Sequence, residues 1–212
     1  MKTAYTMAAL LLLLSVPAVA QADSKLYFLV NGGITQPQSP DIFESGWKDG
    51  TNIGGGLGYR FSPRLSFQTL VNYDRFELDG NTLVDDAGLG PLGDFADINI
   101  SGGDTTVLSL SGELKASLRE PDRVAPYFTI GAGVADVKVS AVTISTSILG
   151  LEFEETIEGL SETAAMATAG LGLDMPINER FGAFVEGRYQ TNLTEGDATD
   201  FSSFHAGIRI NR

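Results

Sequence analysis

Apolar and polar residues alternate with a period of two in eight stretches of the chain, each at least ten residues long. This period places successive side chains on opposite faces, so it predicts strands that separate two environments. In the first and fifth stretches both faces are apolar, and their orientation stays open. The predicted strands are Lys25–Thr35, Thr51–Phe61, Leu65–Asp74, Thr105–Leu118, Pro126–Val139, Thr163–Met175, Phe181–Thr191 and Phe201–Arg212.

The connections between these strands alternate between short turns and long loops. This asymmetry is typical of an outer-membrane β-barrel, with short periplasmic turns and long extracellular loops. A soluble up-and-down barrel with its apolar face inward fits the alternation equally well. The short connections are Ser62–Arg64, Arg119–Ala125 and Pro176–Arg180, and the long ones are Gln36–Gly50, Asp79–Gly103, Ala141–Glu162 and Asn192–Asp200.

The amino-terminal segment Met1–Ala22 has the features of a secretory signal peptide. Lys2 precedes an eight-residue apolar core at Met7–Leu14, and small residues follow Pro17. The core is too short for a transmembrane helix, which needs about 20 apolar residues. We therefore expect residues 1–22 to be cleaved and residues 23–212 to form one barrel domain, exported through the periplasm to the outer membrane. This segment favours the membrane barrel over the soluble one.

Aromatic residues concentrate near both ends of the predicted strands. Two aromatic girdles are expected where a barrel crosses the two membrane interfaces, although aromatic residues also favour strands in general. The predicted girdles are Tyr59, Phe61, Phe67, Tyr127 and Phe181 beside the short turns, and Tyr73, Phe76, Tyr189, Phe201 and Phe204 toward the long loops.

Three stretches of the chain resemble the small eight-stranded outer-membrane barrels of the OmpA, OmpX and opacity-protein type. Pro126–Val134 (PYFTIGAGV) resembles their fifth strand, and Phe204–Ile210 (FHAGIRI) their last. Ala169–Tyr189 is similar to their sixth strand, short turn and seventh strand. The resemblance covers nearly all of residues 23–212. It implies an all-β, eight-stranded antiparallel up-and-down transmembrane barrel of a Gram-negative outer membrane.

The same resemblance implies partners. These are outer-membrane lipid, lipopolysaccharide and the barrel-assembly machinery. Members of this group usually end in an aromatic residue that is recognised during assembly, whereas Arg212 holds the corresponding position here.

Composition excludes several classes of function. The formal net charge of −13 and pI of about 4.3 argue against nucleic-acid binding, which needs clustered basic residues. The chain has no Cys and one His, which excludes Cys-ligated cofactors, and we expect no cofactor and no metal site.

Ser203, His205 and Glu186 share one face of neighbouring strands, but no nucleophile-elbow or zinc-protease motif is present. We therefore expect no enzymatic activity.

Charged residues occur on the polar face of the predicted strands. An eight-stranded barrel is just wide enough for side chains to fill its interior, so these residues should point inward. Buried charges need partners, which predicts a salt-bridged network. Glu113 and Lys115, like Glu186 and Arg188, are i,i+2 pairs on one face. The predicted network comprises Arg60, Asp74, Glu113, Lys115, Asp174, Glu186, Arg188 and Arg209.

The four long loops are acidic. They hold three, five, five and three acidic residues, against the single base Lys48. Asp85, Asp86, Asp94 and Asp97 form the densest cluster, but its spacing is not that of a calcium loop, and solvated loops are favoured over a metal site.

In the third loop, apolar and polar residues alternate in two segments, Val142–Ile148 and Leu151–Ile157, as in the two strands of a hairpin. Such a hairpin exposes an edge to a partner chain or packs against the neighbouring acidic loop.

These observations favour a structural or adhesion-like surface role for the acidic extracellular loops, with a ligand that the sequence does not identify. The main alternative is a low-conductance porin-like diffusion channel, and a lipid-modifying enzyme is a distant third. A channel needs a continuous wet path past Glu186 and Arg209, whereas adhesion depends on the loops.

Overall fold

The structure, a computed structural model, describes residues 25–80, 82, 96–119, 123–148, 151–194 and 198–212. Nearly all of them lie in antiparallel strands, and the eight predicted strands are confirmed. Most run a few residues further than predicted toward the long loops. In chain order the elements are β1 (Leu26–Ser39), α1 (Asp41–Gly46), β2 (Gly50–Arg60), β3 (Leu65–Phe76), β4 (Ala96–Gly102), β5 (Thr105–Ser117), β6 (Ala125–Val139), β7 (Val142–Ile148), β8 (Leu151–Ile157), β9 (Leu160–Pro176), β10 (Phe181–Leu193) and β11 (Thr199–Asn211).

Eight of these strands close into a barrel in the order β1-β2-β3-β5-β6-β9-β10-β11. Each strand pairs with its neighbour along the barrel, and β11 returns to β1 in a register that places Val30 opposite Ile208. Closure leaves no unpaired strand edge in the wall, as an apolar membrane interior requires. None of the helical segments described combines the length and the apolar character that crossing a membrane requires.

The outer face of the barrel is apolar and the inner face is largely polar, as expected for a wall that contacts lipid. The sequence left the orientation of two strands, β1 and β6, open. The alternation of buried and exposed residues along each strand now shows which side chains face inward. β1 turns Phe28, Val30 and Ile34 outward and Tyr27, Leu29 and Asn31 inward, and β6 turns Phe128, Ile130 and Val134 outward. Both strands looked ambiguous because large apolar side chains also occupy the interior.

Three inward-facing aromatic rings each lie against a glycine on the adjacent strand. Tyr27 faces Gly58, Tyr127 faces Gly172, and Phe184 faces Gly207 in the strand register. A Cβ atom added to Gly58 would collide with the Tyr27 ring, and one added to Gly172 with the Tyr127 ring. The missing side chain therefore provides the space that the ring occupies in this narrow barrel.

The girdle prediction is wrong for three of its ten residues. Tyr127, Phe76 and Phe201 point into the barrel and are almost fully buried. Position along the strand was right, but alternation places them on the inner face. The other seven, Tyr59, Phe61, Phe67, Phe181, Tyr73, Tyr189 and Phe204, are exposed on the outer face.

A second, three-stranded sheet in the order β4-β7-β8 belongs to the long loops. The predicted hairpin is present as β7 and β8, with the predicted bounds. It also packs against the second loop, because β4 pairs with β7 and places Ile100 opposite Ile144. β4 was not predicted as a strand. No described strand pairs with the other edge of β8.

Candidate functional site: the barrel interior and the surface sheet

At mid-height of the barrel, a cluster that we name the ionic layer comprises Glu113, Glu186, Arg188 and His205. Arg188 bridges the two glutamates: its Nη1 lies 3.0 Å from Glu113 Oε1 and its Nη2 2.7 Å from Glu186 Oε1. All these side chains are buried, and Glu113 is 0% exposed. A guanidinium provides the rigid fork of donors that such double pairing requires.

Neutral side chains donate further hydrogen bonds to the Glu113 carboxylate. Gln68 Nε2 donates to its Oε2 at 2.9 Å, and the Ser111 and Thr168 hydroxyls donate to its Oε1 at 3.1 and 3.3 Å. A buried carboxylate is costly unless its lone pairs are satisfied. These three polar residues lie on three different strands, so the carboxylate also ties one side of the barrel to the other.

His205, absent from the predicted network, connects this layer to polar residues nearer the loops. Its Nε2 lies 3.3 Å from Glu186 Oε1, and its Nδ1 lies 3.3 Å from Asn52 Oδ1. The Asn52 amide in turn donates to Asp74 Oδ1 at 2.8 Å. Asp74 is therefore held by an amide rather than by a basic side chain.

Closer to the short turns, Asp174 forms ion pairs with two basic side chains. Lys115 Nζ lies 2.7 Å from Asp174 Oδ2, and Arg209 Nη1 lies 2.6 Å from Oδ1. The Lys115 ammonium also lies 3.6 Å from the centroid of the Tyr127 ring, in cation–π geometry. The i,i+2 pairing is present for Glu186 with Arg188. Lys115 on β5 instead pairs with Asp174 on β9, reaching across β6, the strand that lies between them.

Arg60 is the member of the predicted set that lies apart from these pairs. It is only partly buried, and its Cζ lies 5.5 Å from the centroid of the Tyr27 ring. Its Nη2 donates to Asn211 Oδ1 at 3.4 Å. In the part of the chain that the structure describes, no carboxylate lies within ion-pair distance of it.

At the loop end of the barrel, the interior changes from polar to apolar. We name this cluster the apolar plug. Phe76 and Phe201, 0% and 1% exposed, stack edge to face with ring centroids 5.4 Å apart, and Phe43 of α1 packs on Phe76 at 5.1 Å. The plug comprises Phe43, Phe76, Val107, Ala135, Val137, Met166 and Phe201.

Helix α1 lies over the plug and is anchored to the second loop. Trp47, just after the helix, packs against Phe43 at 5.5 Å and donates from Nε1 to Gly103 O at 2.9 Å. The backbone adds two bonds, from Lys48 N to Glu77 O and from Asp79 N to Gly46 O. The first loop thus covers the plug and packs Phe43 against Phe76.

A small cavity lies in the middle of the interior. A cavity of about 10 Å³ lies between Leu29, Leu70, Phe184 and the ionic layer. This volume is at the lower limit for a single water molecule. The predicted acidic cluster cannot be placed in the same way, because Asp85, Asp86, Asp94 and the Asp97 side chain lie outside the described residues.

These features define the class: a small transmembrane β-barrel with a filled interior and a sheet raised on its loops. The chain belongs to the Outer membrane protein beta-barrel domain family, which matches residues 6–210. The protein is accordingly an outer-membrane β-barrel protein. No curated protein matches it.

Solved structures of similar fold include bacterial surface and outer-membrane proteins. Neisserial surface protein A (NspA) is 14% identical, with a TM-score of 0.55 over 91% of this chain and 100% of that one. Ail, the attachment invasion locus protein of Yersinia pestis, is 12% identical, with a TM-score of 0.47 over 89% and 100%. OprG from Pseudomonas aeruginosa is 12% identical, with a TM-score of 0.46 over 91% and 98%.

Proposed function

We propose that this protein is a non-conducting surface protein that contacts partners through its extracellular loops. The observation that carries the proposal is the filling of the interior by two successive barriers, the ionic layer and the apolar plug. An ion crossing the barrel would have to separate Arg188 from two buried glutamates and then pass a cluster of phenylalanines. Both steps are costly, because the first leaves buried charges unpaired and the second strips water from the ion.

The surface sheet supports the contact role. Beyond β7, the β8 strand has an unpaired edge in the described structure, and its Phe153 and Ile157 are exposed between glutamates. A strand edge of this kind can accept an extended segment of a partner chain. The acidic character of the loops favours a partner with a basic surface.

No catalytic step is part of the proposal. Glu186 and His205 lie together, but they are buried beneath the plug and hydrogen-bonded within the interior. Lipid at the outer face does not reach them.

Planar-bilayer recording of the refolded protein tests the closed interior. A mobility shift between heated and unheated samples on a gel first establishes folding. We expect no discrete conductance steps from the wild type. Two variants show which barrier limits any leak current. Phe43→Ala/Phe76→Ala/Phe201→Ala removes the rings of the plug, and Glu186→Gln weakens the ionic layer. Steps in the wild type that change with Glu186→Gln would make the protein a channel.

Binding of barrel-containing nanodiscs to an immobilised oligolysine peptide tests the contact role. We expect Glu154→Gln/Glu155→Gln/Glu158→Gln to weaken binding severalfold. The matched control, Asp41→Asn/Glu44→Gln/Asp49→Asn, removes the same number of charges from the first loop. Equal losses in both variants would mean that bulk charge, rather than β8, is responsible, and binding unchanged in both would contradict the role of the acidic loops.

We also infer that residues 1–22 are removed during export and that the barrel-assembly machinery inserts the rest. Amino-terminal sequencing of protein from the outer-membrane fraction tests the first inference. A start near Gln21 or Asp23 is expected, and a start at Met1 would contradict it.

A further inference from the structure

The end of the barrel interior beside the short turns is strongly basic. An open cavity of about 20 Å³ lies there, between the β2–β3 turn and the inner wall. Four cationic side chains, Arg60, Arg64, Lys115 and Arg209, line it together with a single carboxylate, that of Asp174. By the orientation of the family, this mouth opens to the periplasm, opposite the acidic loops.

Two of the cations have bonding capacity that the protein does not use. Arg209 is buried, and its Nε has no hydrogen-bond partner among the described residues. Arg60 has an amide and an aromatic ring as neighbours but no carboxylate within ion-pair distance in the described structure. Buried donors are nearly always paired, so the orphaned Nε of Arg209 calls for a water molecule or an ion as its acceptor.

Asp174 does not neutralise the site by itself. Its Oδ2 accepts a hydrogen bond from Lys115 and its Oδ1 is in ion-pair contact with Arg209. Among the described residues, Arg60 and Arg64 have no ion-pair partner of their own. Arginine side chains in such an arrangement recognise the planar or tetrahedral oxygens of carboxylates and phosphates. The small volume admits about one oxygen atom, and the remainder of the ligand would lie at the mouth between the two arginines.

We propose that this periplasmic mouth is a binding site for a phosphate-type oxyanion, held by Arg60 and Arg64 at the rim and by Arg209 deeper in the cavity. Free phosphate and the phosphate of an anionic phospholipid headgroup share the required chemistry. The site is independent of the proposed surface role, because it lies at the other end of the barrel.

Calorimetric titration of the refolded barrel in maltoside detergent with inorganic phosphate, at constant ionic strength, tests the site. We expect saturable binding that Arg60→Gln/Arg64→Gln weakens at least tenfold. The control Lys25→Gln/Arg180→Gln removes two cations from the same end outside the cavity, and it should change binding less than twofold. The gel mobility shift establishes folding for each variant.

A second arm distinguishes the two sources of phosphate. Barrels in nanodiscs of phosphatidylcholine and phosphatidylglycerol are extracted, and the phosphatidylglycerol retained by each variant is measured. Retention that depends on Arg60 and Arg64, without binding of free phosphate, identifies the headgroup as the ligand, whereas binding in maltoside without retention identifies a soluble oxyanion. The proposal is overturned if neither is observed, or if the control variant loses as much as the arginine variant.

Discussion

The ionic layer and the apolar plug fill the same barrel in opposite ways. In the ionic layer, each charged group is held by several partners on different strands, as with Glu113 and its five donated contacts. In the plug, Phe43, Phe76 and Phe201 are held by shape and ring packing alone. Loss of one ionic partner leaves an opposite charge stranded, whereas loss of one ring leaves a cavity. The comparison therefore predicts different responses to mutation.

The largest effect is expected from Arg188→Ala. It leaves Glu113 and Glu186 buried without their cation, which should lower the free energy of unfolding by about 3–5 kcal/mol. Urea denaturation in lipid vesicles, followed by tryptophan fluorescence or gel mobility, measures the change. Arg188→Lys keeps the charge but loses the fork, and an intermediate loss is expected. A loss below about 1 kcal/mol for Arg188→Ala would show that the network contributes little.

Phe43→Ala should have the next largest effect. Removing a buried phenylalanine costs about 3–5 kcal/mol, and we expect the lower end, because α1 belongs to a loop that can settle into the space. Denaturation under the same conditions gives the value. Ile42→Ala is the control, since Ile42 is on the same helix and exposed. Equal losses for the two variants would contradict the plug.

Gly58→Ala tests the boundary where an aromatic ring meets polar neighbours. The added methyl group collides with Tyr27, and overpacking of this kind costs about 1–3 kcal/mol. Gly187→Ala is the matched control, because a Cβ there meets nothing within 4 Å. If both substitutions shift the unfolding midpoint equally, strand propensity rather than the ring contact accounts for the loss.

The smallest effect is expected where an ion pair is exposed. Arg75 Nη2 lies 2.8 Å from Asp104 Oδ2 at the loop end of the barrel, as close as the buried pairs. Water and salt screen this pair, so Arg75→Gln should leave the unfolding midpoint unchanged within error. A loss as large as that of Arg188→Ala would mean that burial is not what distinguishes the ionic layer.

Alternation along the sequence was enough to predict the wall of the barrel. The same parity indicated that Glu113, Lys115, Asp174, Glu186, Arg188 and Arg209 would share a face. It did not indicate their partners, because those depend on the register between strands. Lys115 and Asp174 are 59 residues apart in the sequence, and a pattern within one strand does not reveal that they pair.

The plug was not predicted for a different reason. Phe76 and Phe201 were assigned to an aromatic girdle, since an aromatic residue near a strand end suits either face until the parity is known. Helix α1 is only six residues long, too short to show a helical period. Two signals in the sequence point to this helix. They are its start at Pro40 and Asp41, and the spacing of four residues between Phe43 and Trp47.

The pairing of β1 with β11 has a consequence for how the barrel forms. Tyr27 and Asn211 are neighbours although 184 positions separate them along the chain. Joining such distant segments has the highest entropic cost of any contact in the sheet, and contacts of this kind slow folding. Without that seam, two rows of unpaired amides and carbonyls would face hydrocarbon, which does not solvate them. We therefore expect pairing of the first and last strands to be coupled to entry into the bilayer, after the whole polypeptide has been delivered.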